Sequence, residues 1–415
     1  MAPFQTQHLF VLVGTNPLPN YVAAKLLLAP AISSAPQHKP HLYLVHTKRT
    51  DPVADRLAKL FPDVVTKVPV DENNAADIYK AITPHVHSGS IGVNYTGGTK
   101  AMAVHTYQAL RKLRKDDVIC SYLDARTLSI QIDHPPNPST CISIELAETV
   151  RLETLLQMHG HALHPDYAPP LEKPLQLGVA RVMLDINRED WRTWCDKDAL
   201  RPASGADIKK ENKLRPVKLP TAWPDLAAQW PGCASVGDLA VKWKRSPREV
   251  AKWLDGGWLE DYTLAAVQAV APSCHVHYSA ANVWICAVSN EGHPTPALRE
   301  FELDVAAIRG YQLFVLSCTT DSSKGRLKLK LFEAYARARQ IGGDEARAAL
   351  VCYAPKDEPD KKGNDPKRSP QTIQREIEDE WDARGLVRVF GEEHMPNLGE
   401  HLREWFQTQA NRGGK

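Results

Sequence analysis

From residue 8 to about residue 147, short apolar runs alternate with stretches whose apolar positions recur every three or four residues, the two periods of strand and helix. Strands are predicted at 8–13, 42–46, 64–68, 90–95, 118–123 and 128–132, with helices at 21–28, 51–60, 71–82 and 98–113 between them. This rhythm predicts a mainly parallel sheet covered by helices on both faces. It is lost between about 148 and 234, where a helix at 148–158 stands out among prolines, tryptophans and a basic stretch at Lys209, Lys210, Lys213 and Lys218. Two short helices follow at 236–243 and 247–254, joined by Lys244-Arg245-Ser246, with Ser246 placed to cap and Pro247 to open the second. Such a helix-turn-helix either contacts DNA through Lys242, Lys244, Arg245, Arg248 and Lys252 or acts as a winged-helix-like spacer with a solvated face; the spacer is preferred.

A third unit begins at about residue 256. It reads as a helix at 258–270, strands at 276–288, 302–308 and 312–318, a helix at 326–340, a strand at 348–353 and a last helix at 398–409. Residues 355–370 are charged, rich in proline and without an apolar anchor, and are expected to be mobile. The chain therefore divides as 1–165, 166–255 and 256–415, and its fold class is α/β.

Composition narrows the function. With 51 basic and 49 acidic residues the net charge is +2, which excludes a global basic field, so any nucleic-acid contact must be a local patch. No apolar run approaches the ~20 residues of a membrane span and no leader-like start is present, so the expected setting is soluble and cytoplasmic, with no membrane partner. The eight cysteines are scattered without a CxxC pair and read as small buried hydrophobes of a reducing compartment. The histidines at 85/87, 159/161/164 and 275/277 lack carboxylate or cysteine partners at metal-ligand spacing, and read as ordinary core or surface residues.

Two loops are built to hold an anion. Asn94-Tyr95-Thr96-Gly97-Gly98-Thr99-Lys100 leads from a buried strand into a helix: the glycines permit close backbone approach, Thr96 and Thr99 offer hydroxyls, and Lys100 offers a charge beside the first free amides of the helix. The spacing is neither that of a P-loop nor that of a dinucleotide fingerprint, so it points to recognition of a phosphate-bearing ligand without NTP hydrolysis. Gly14-Thr15-Asn16-Pro17-Leu18-Pro19-Asn20 forms a similar turn after the first strand, and two such turns at the carboxyl edge of one sheet favour a ligand crevice.

In the third unit, carboxylates are placed for metal-assisted phosphodiester chemistry, in which they converge on a divalent ion that activates water. Glu260 sits on the first helix, Asp304 on the second strand with Glu302 on the same face, and Ser317 and Thr319 on the next strand face them. Periodicity alone equally allows these to be surface carboxylates.

The 94–100 strand-turn-helix with the Asn16–Asn20 loop resembles the CRISPR-associated Rossmann fold (CARF) domain of type III CRISPR ancillary effectors. The tail, with Gly256-Gly257-Trp258-Leu259-Glu260, Glu302-Leu303-Asp304-Val305, Ser317-Cys318 and Gly342-Gly343, resembles their PD-(D/E)XK nuclease domain. The resemblance covers most of the chain. It implies a homodimer whose paired sensor domains bind a cyclic oligoadenylate, most commonly cyclic tetra-adenylate, through Thr15, Asn16, Pro17, Asn20, Asn94, Thr96, Gly97, Gly98, Thr99 and Lys100. It implies a nuclease cutting DNA or RNA with Mn2+ or Mg2+ held by Glu260, Asp304 and the Ser317 or Cys318 carbonyl. One departure stands out: the family's lysine two residues after Ser317 is Thr319 here. Lys324, Lys328 or Lys330 would have to supply the missing ammonium, and without one the alternative is a ligand-gated binding effector with an inactive core.

Overall fold

The computed structural model describes residues 1–30, 39–115, 117–134, 137–203, 212–289, 291–296, 300–354 and 369–408. Lys209, Lys210 and nearly all of the 355–370 loop lie outside them.

The amino-terminal chain runs β1 (His8–Leu12), α1 (Leu18–Leu27), β2 (His41–His46), α2 (Asp51–Ala58), β3 (Val65–Pro69), α3 (Ala75–Ile82), β4 (Ile91–Asn94) and α4 (Lys100–Arg114). Three consecutive strands follow, β5 (Val118–Asp124), β6 (Ser129–His134) and β7 (Asn137–Ser143). Their order is β3-β2-β1-β4-β5-β6-β7, parallel from β3 to β5 and antiparallel beyond. Leu9 to Val13 are almost completely buried because β1 is central and covered on both faces, which is why its sequence reads as an unbroken apolar run. β7 is mostly exposed at the sheet edge, so its sequence carries no apolar signal and it went unpredicted.

The next segment comprises α5 (Leu152–Met158), β8 (His161–Leu163), α6 (Leu177–Met183), α7 (Arg188–Thr193), α8 (Val236–Trp243), α9 (Pro247–Lys252) and α10 (Trp258–Cys274). The second sheet follows: β9 (Val276–Val288), β10 (Pro294–Thr295), β11 (Phe301–Arg309), β12 (Gln312–Thr319), α11 (Lys324–Gly342), β13 (Arg347–Cys352), α12 (Pro370–Trp381), β14 (Val387–Phe390) and α13 (Leu398–Gln407). The order is β10-β9-β11-β12-β13-β14, with β11 antiparallel to both neighbours and β12, β13 and β14 parallel. β8 joins this sheet by pairing with β9, so the second sheet draws on residues upstream of position 165.

The two sheets share one apolar core. Leu155 and Leu156 of α5 belong to the same buried cluster as Leu57 of α2 and Leu331 and Tyr335 of α11. A second cluster joins the helical segment to the other face of the second sheet, where Trp191, Trp253 and Trp258 meet Phe314, Leu316 and Trp405. The Trp191 indole donates to the Leu254 carbonyl at 3.0 Å, satisfying its buried N–H. The expected α/β class with a Rossmann-like amino-terminal sheet is what the structure shows. Among the described residues no helix is long and apolar enough to cross a membrane.

The helix-turn-helix forms as its caps dictate. Ser235 with Asp238 and Ser246 with Glu249 each make a capping box, every cap contributing roughly 1 kcal/mol. Lys244 takes the left-handed conformation between the helices (φ 54°). α9 then passes through a π-turn at Trp253–Gly257 into α10, which sets the direction from which Glu260 enters the second sheet.

Candidate functional site

In the first sheet, the chain proceeds from β1 to one side through β2 and to the other through β4, so strand order reverses between β1 and β4. Loops after those two strands meet at this switch point. They meet closely: a Cβ on Gly97 would lie 2.3 Å from the Leu12 carbonyl oxygen and 2.6 Å from the Gly14 nitrogen, so no larger residue fits. Gly98 is left-handed (φ 72°).

Not all the sequence-proposed ligand residues face outward. Asn20 and Asn94 are 1 % and 0 % exposed. The Asn20 amide donates to the Leu12 carbonyl at 2.9 Å, and that of Asn94 to Ser121 Oγ at 3.1 Å. Thr96 Oγ1 accepts from the Leu123 N–H at 2.7 Å, Thr99 Oγ1 caps α4 by accepting from Met102, and Pro17 is buried. These residues shape the loops. Thr15, Gly98, Thr99 and Lys100 are exposed at the crevice, with the first turn of α4 behind them.

Asn16 connects the crevice to the second sheet. Its Oδ1 accepts from the Leu18 N–H, while its Nδ2 donates at 3.1 Å to Glu345 Oε2 in the turn between α11 and β13. Gly343, left-handed at φ 70°, is required there, since a Cβ would lie 2.4 Å from Asn16 Oδ1. Glu345 is 1 % exposed, and burial pushes its carboxyl up to about 7, with the Asn16 hydrogen bond pulling the other way. Its main-chain carbonyl accepts from the Gln312 side chain at 2.7 Å, at the start of β12.

At the far end of β12 lies the acidic centre. Asp304 Oδ2 accepts from Ser317 Oγ at 2.9 Å and from the Cys318 N–H at 2.7 Å, so β12 holds this carboxylate from two positions. Glu260 comes from α10. Burial first, and then the charge of Asp304, push its carboxyl well above the usual range. Asp261, next to it, is 2 % exposed and accepts from the Trp253 indole at 2.9 Å and the Gln176 N–H at 2.8 Å, fixing the first turn of α10. Glu302 and Asp304 line one cavity of about 270 Å3 with Ser317, Lys330 and Arg337.

Of the three lysines expected to supply the missing ammonium, Lys330 lines the cavity with Glu302 and Asp304, and Lys324 and Lys328 are engaged elsewhere. Lys324 pairs with Glu376 at 2.5 Å, and Lys328 with Glu376 at 3.2 Å and Glu380 at 2.7 Å, so both are drawn to α12. The structure also brings Lys252 of α9 to 3.3 Å from both Glu302 oxygens. Burial would lower the Lys252 ammonium, but Glu302, Glu260 and Asp304 together raise it. Its side chain is 61 % exposed, so water screens the pair. By sequence, Lys252 sits on a helix that either spaces or contacts DNA, with the spacer preferred; its approach to Glu302 follows from the π-turn after α9. Thr319 Oγ1 accepts from the Asp321 N–H at 3.2 Å.

Among the described residues no group of three or more His, Cys, Asp and Glu side chains is arranged to hold a metal ion. The Cys318 thiol points to Thr263 at 3.5 Å, while its N–H serves Asp304. What the chain offers is a two-carboxylate site of hard oxygen donors, Glu260 and Asp304, whose like charges a divalent cation would relieve. That donor set suits Mg2+ or Mn2+, which keep several waters and take further oxygens from a substrate phosphate.

No protein-family model matches the sequence, and no curated protein matches it. Among solved structures, Can2 from Sulfobacillus thermosulfidooxidans in complex with cyclic tetra-adenylate superposes with a TM-score of 0.65 at 15% identity, covering 97% of this chain and 99% of that one. Protein VC1899 from Vibrio cholerae gives a TM-score of 0.60 at 16% identity, covering 97% and 98%. At these identities the likeness is one of fold, and it runs through both sheets.

Proposed function

We propose that this chain is a CARF nuclease of type III CRISPR defence, in which a cyclic oligoadenylate bound at the β1 and β4 loops gates metal-dependent cleavage of nucleic acid at Glu260 and Asp304. The observation that carries the reading is the convergence of Glu260, Glu302 and Asp304 with Lys252 and Lys330, in a chain that shares the fold of a cyclic tetra-adenylate-binding protein over nearly its whole length. The crevice supports the sensor half, since exposed threonines, Lys100 and the amino end of a 15-residue helix suit bridging phosphates. A second copy of the chain would complete the pocket around a symmetric ring. α4, which leads out of the crevice, exposes Val104 (50 %) on the face turned away from the sheet, where a second copy could pack.

Bound at Glu260 and Asp304, a divalent cation would polarise the phosphodiester and lower the pKa of an attacking water. Ser317 Oγ and the Cys318 N–H hold Asp304 in one orientation, Asp261 holds the start of α10, and Lys252 and Lys330 offset negative charge that accumulates on the phosphate.

The test is cleavage of labelled RNA, single-stranded DNA and supercoiled plasmid with Mn2+ or Mg2+, each with cyclic tri-, tetra- or hexa-adenylate. Cutting that needs one ring and vanishes in Asp304→Ala, with ring binding intact, supports the proposal; cutting unchanged in Asp304→Ala overturns the site. The second reading, a ligand-gated binding effector with an inactive core, draws on Thr319, whose hydroxyl is engaged with Asp321 and which carries no charge. Ring binding without cutting of any substrate would favour it.

A further inference from the structure

Beside the acidic centre lies a second cavity, of about 300 Å3, that the phosphodiester chemistry leaves unused. It opens between α9 and β9, and Glu260 forms part of its wall. Its apolar walls come from Tyr167, Trp243, Trp253 and Trp284, with Arg245 and Lys252 on the α9 side. Tyr167 and Trp284 stack face to face, ring centroids 4.1 Å apart and planes 8° from parallel. His164 meets the Tyr167 ring edge-on at 4.6 Å. Tyr167 is nevertheless 40 % exposed, an unusual position for a large ring already paired with a tryptophan.

Trp284 also lines the cavity that contains Glu302, Asp304 and Lys330. On β9 it lies directly opposite Glu302 of β11. The two cavities therefore adjoin, one holding Glu302 and Asp304 with Lys330 and Arg337, the other aromatic with Glu260 in its wall, and one indole is common to both.

We propose that the aromatic cavity is a nucleobase subsite: it receives one unpaired base of the strand whose phosphodiester lies at Glu260 and Asp304. The inference rests on the phosphodiesterase reading of that centre. Three features select this occupant. Glu260 lies in the wall of the cavity and Trp284 lines both cavities, so an occupant here sits beside a phosphate held at Glu260 and Asp304. Lys252 lines the cavity while its ammonium reaches Glu302 of the acidic centre at 3.3 Å, so one cation spans from the aromatic cavity to the site of the phosphate. The largest side chains of the cavity are aromatic, and two of its carboxylates are already engaged, Glu249 by Arg245 at 3.3 Å and Asp261 by the Trp253 indole at 2.9 Å, which suits stacking of any base rather than reading of one. A base can enter only when it is out of a helical stack, so a paired base is excluded until it is turned out.

The experiment separates the subsite from the chemistry. Full-length Asp304→Asn, with activating ring and Ca2+, is titrated into two fluorescein-labelled decamers, oligothymidylate and an otherwise identical strand of abasic sites. The thymidylate strand is expected to bind more tightly, and Tyr167→Ala and Trp284→Ala each to lose roughly 5- to 100-fold on it and little on the abasic strand. Tyr167 is exposed enough that its loss spares the fold, and an unchanged melting temperature confirms this for both variants. Equal affinity for the two strands, no binding of either strand, or a base preference that survives both substitutions would overturn the subsite. If the preference depends on Tyr167 and Trp284 while the protein with Asp304 intact cuts nothing, the subsite stands and the phosphodiesterase reading falls.

Discussion

Lys252 pairs with Glu302 at 3.3 Å in the acidic centre, and it does so from an element that the sequence assigns to spacing or DNA contact. Its ammonium touches Glu302 and feels Glu260 and Asp304. Lys252→Ala is expected to lower cleavage about 10²-fold or more with ring affinity unchanged. Adding Thr319→Lys should recover part of that loss, because the end of β12 reaches the same charges; a steady-state rate series with all four combinations checks both. Glu345 behaves differently. Its carboxyl titrates near 7 in the fold and near 4.5 when exposed, so the folded state holds the extra proton and stability falls as pH rises from about 4.5 through about 7. Glu345→Gln keeps an acceptor for Asn16 and removes the titration. It is expected to flatten denaturant-derived stability across that window and to gain up to about 3 kcal/mol at pH 8. Helix and strand periods alone leave Glu260 and Asp304 open to being surface carboxylates; the family resemblance of 256–260 and 302–305 singles them out, and the structure brings the two carboxyls near each other. The destination of Lys252 was not legible, since it depends on a π-turn without a sequence signature of its own.

At the scale of elements, the amino ends of the central strands hold a histidine group that neither site uses. His8 begins β1, His41 begins β2, and His85 and His87 follow α3; the rings of His41 and His85 lie 4.7 and 5.0 Å from that of Tyr43, and those of His8 and His87 are 5.3 Å apart. Burial first, then the neighbouring histidines, lower the pKa of His8, His41 and His85, and Arg114 adds to the effect on His8. The unfolded chain therefore binds more protons below about 6.5, and the stability these rings supply at neutral pH is lost as pH falls below that value. Melting temperature from pH 7.5 to 5 is expected to drop, and His41→Gln with His85→Gln should make the drop shallower. His85 and His87, close in the sequence, pack against the rings of Tyr43 and His8 respectively. Missed elements share a physical cause. α12 buries only Pro370, Ile373 and Ile377 on one face of an otherwise polar helix, and β14 has four residues, too few for a period to emerge.

Across the whole molecule, one hydrogen bond joins residues 329 positions apart and no local pattern could announce it. Asn16 stands in the loop after β1, Glu345 in the turn before β13, and Gln312 ties that turn to the start of β12, whose other end fixes Asp304 through Ser317 and Cys318. β12 is therefore a rigid connection, one strand long, between the sensor crevice and the acidic centre, embedded in the apolar core that both sheets share. A ligand that pulled on Asn16 would shift the turn, and a strand buried on both faces transmits such a shift more readily than it absorbs it. Coupling of this kind separates two quantities that a damaged binding site would lose together. Asn16→Ala and Glu345→Ala are each expected to bind the activating ring within about threefold of the parent chain while the stimulation of cleavage by that ring falls about tenfold, the usual span of a coupling free energy. Ring affinity by calorimetry and the ratio of cleavage rates with and without ring, measured on the same preparations, decide it. If Asn16→Ala loses affinity and stimulation in proportion, Asn16 is a ligand contact and nothing more. If both substitutions leave stimulation intact, the signal passes elsewhere in the shared core.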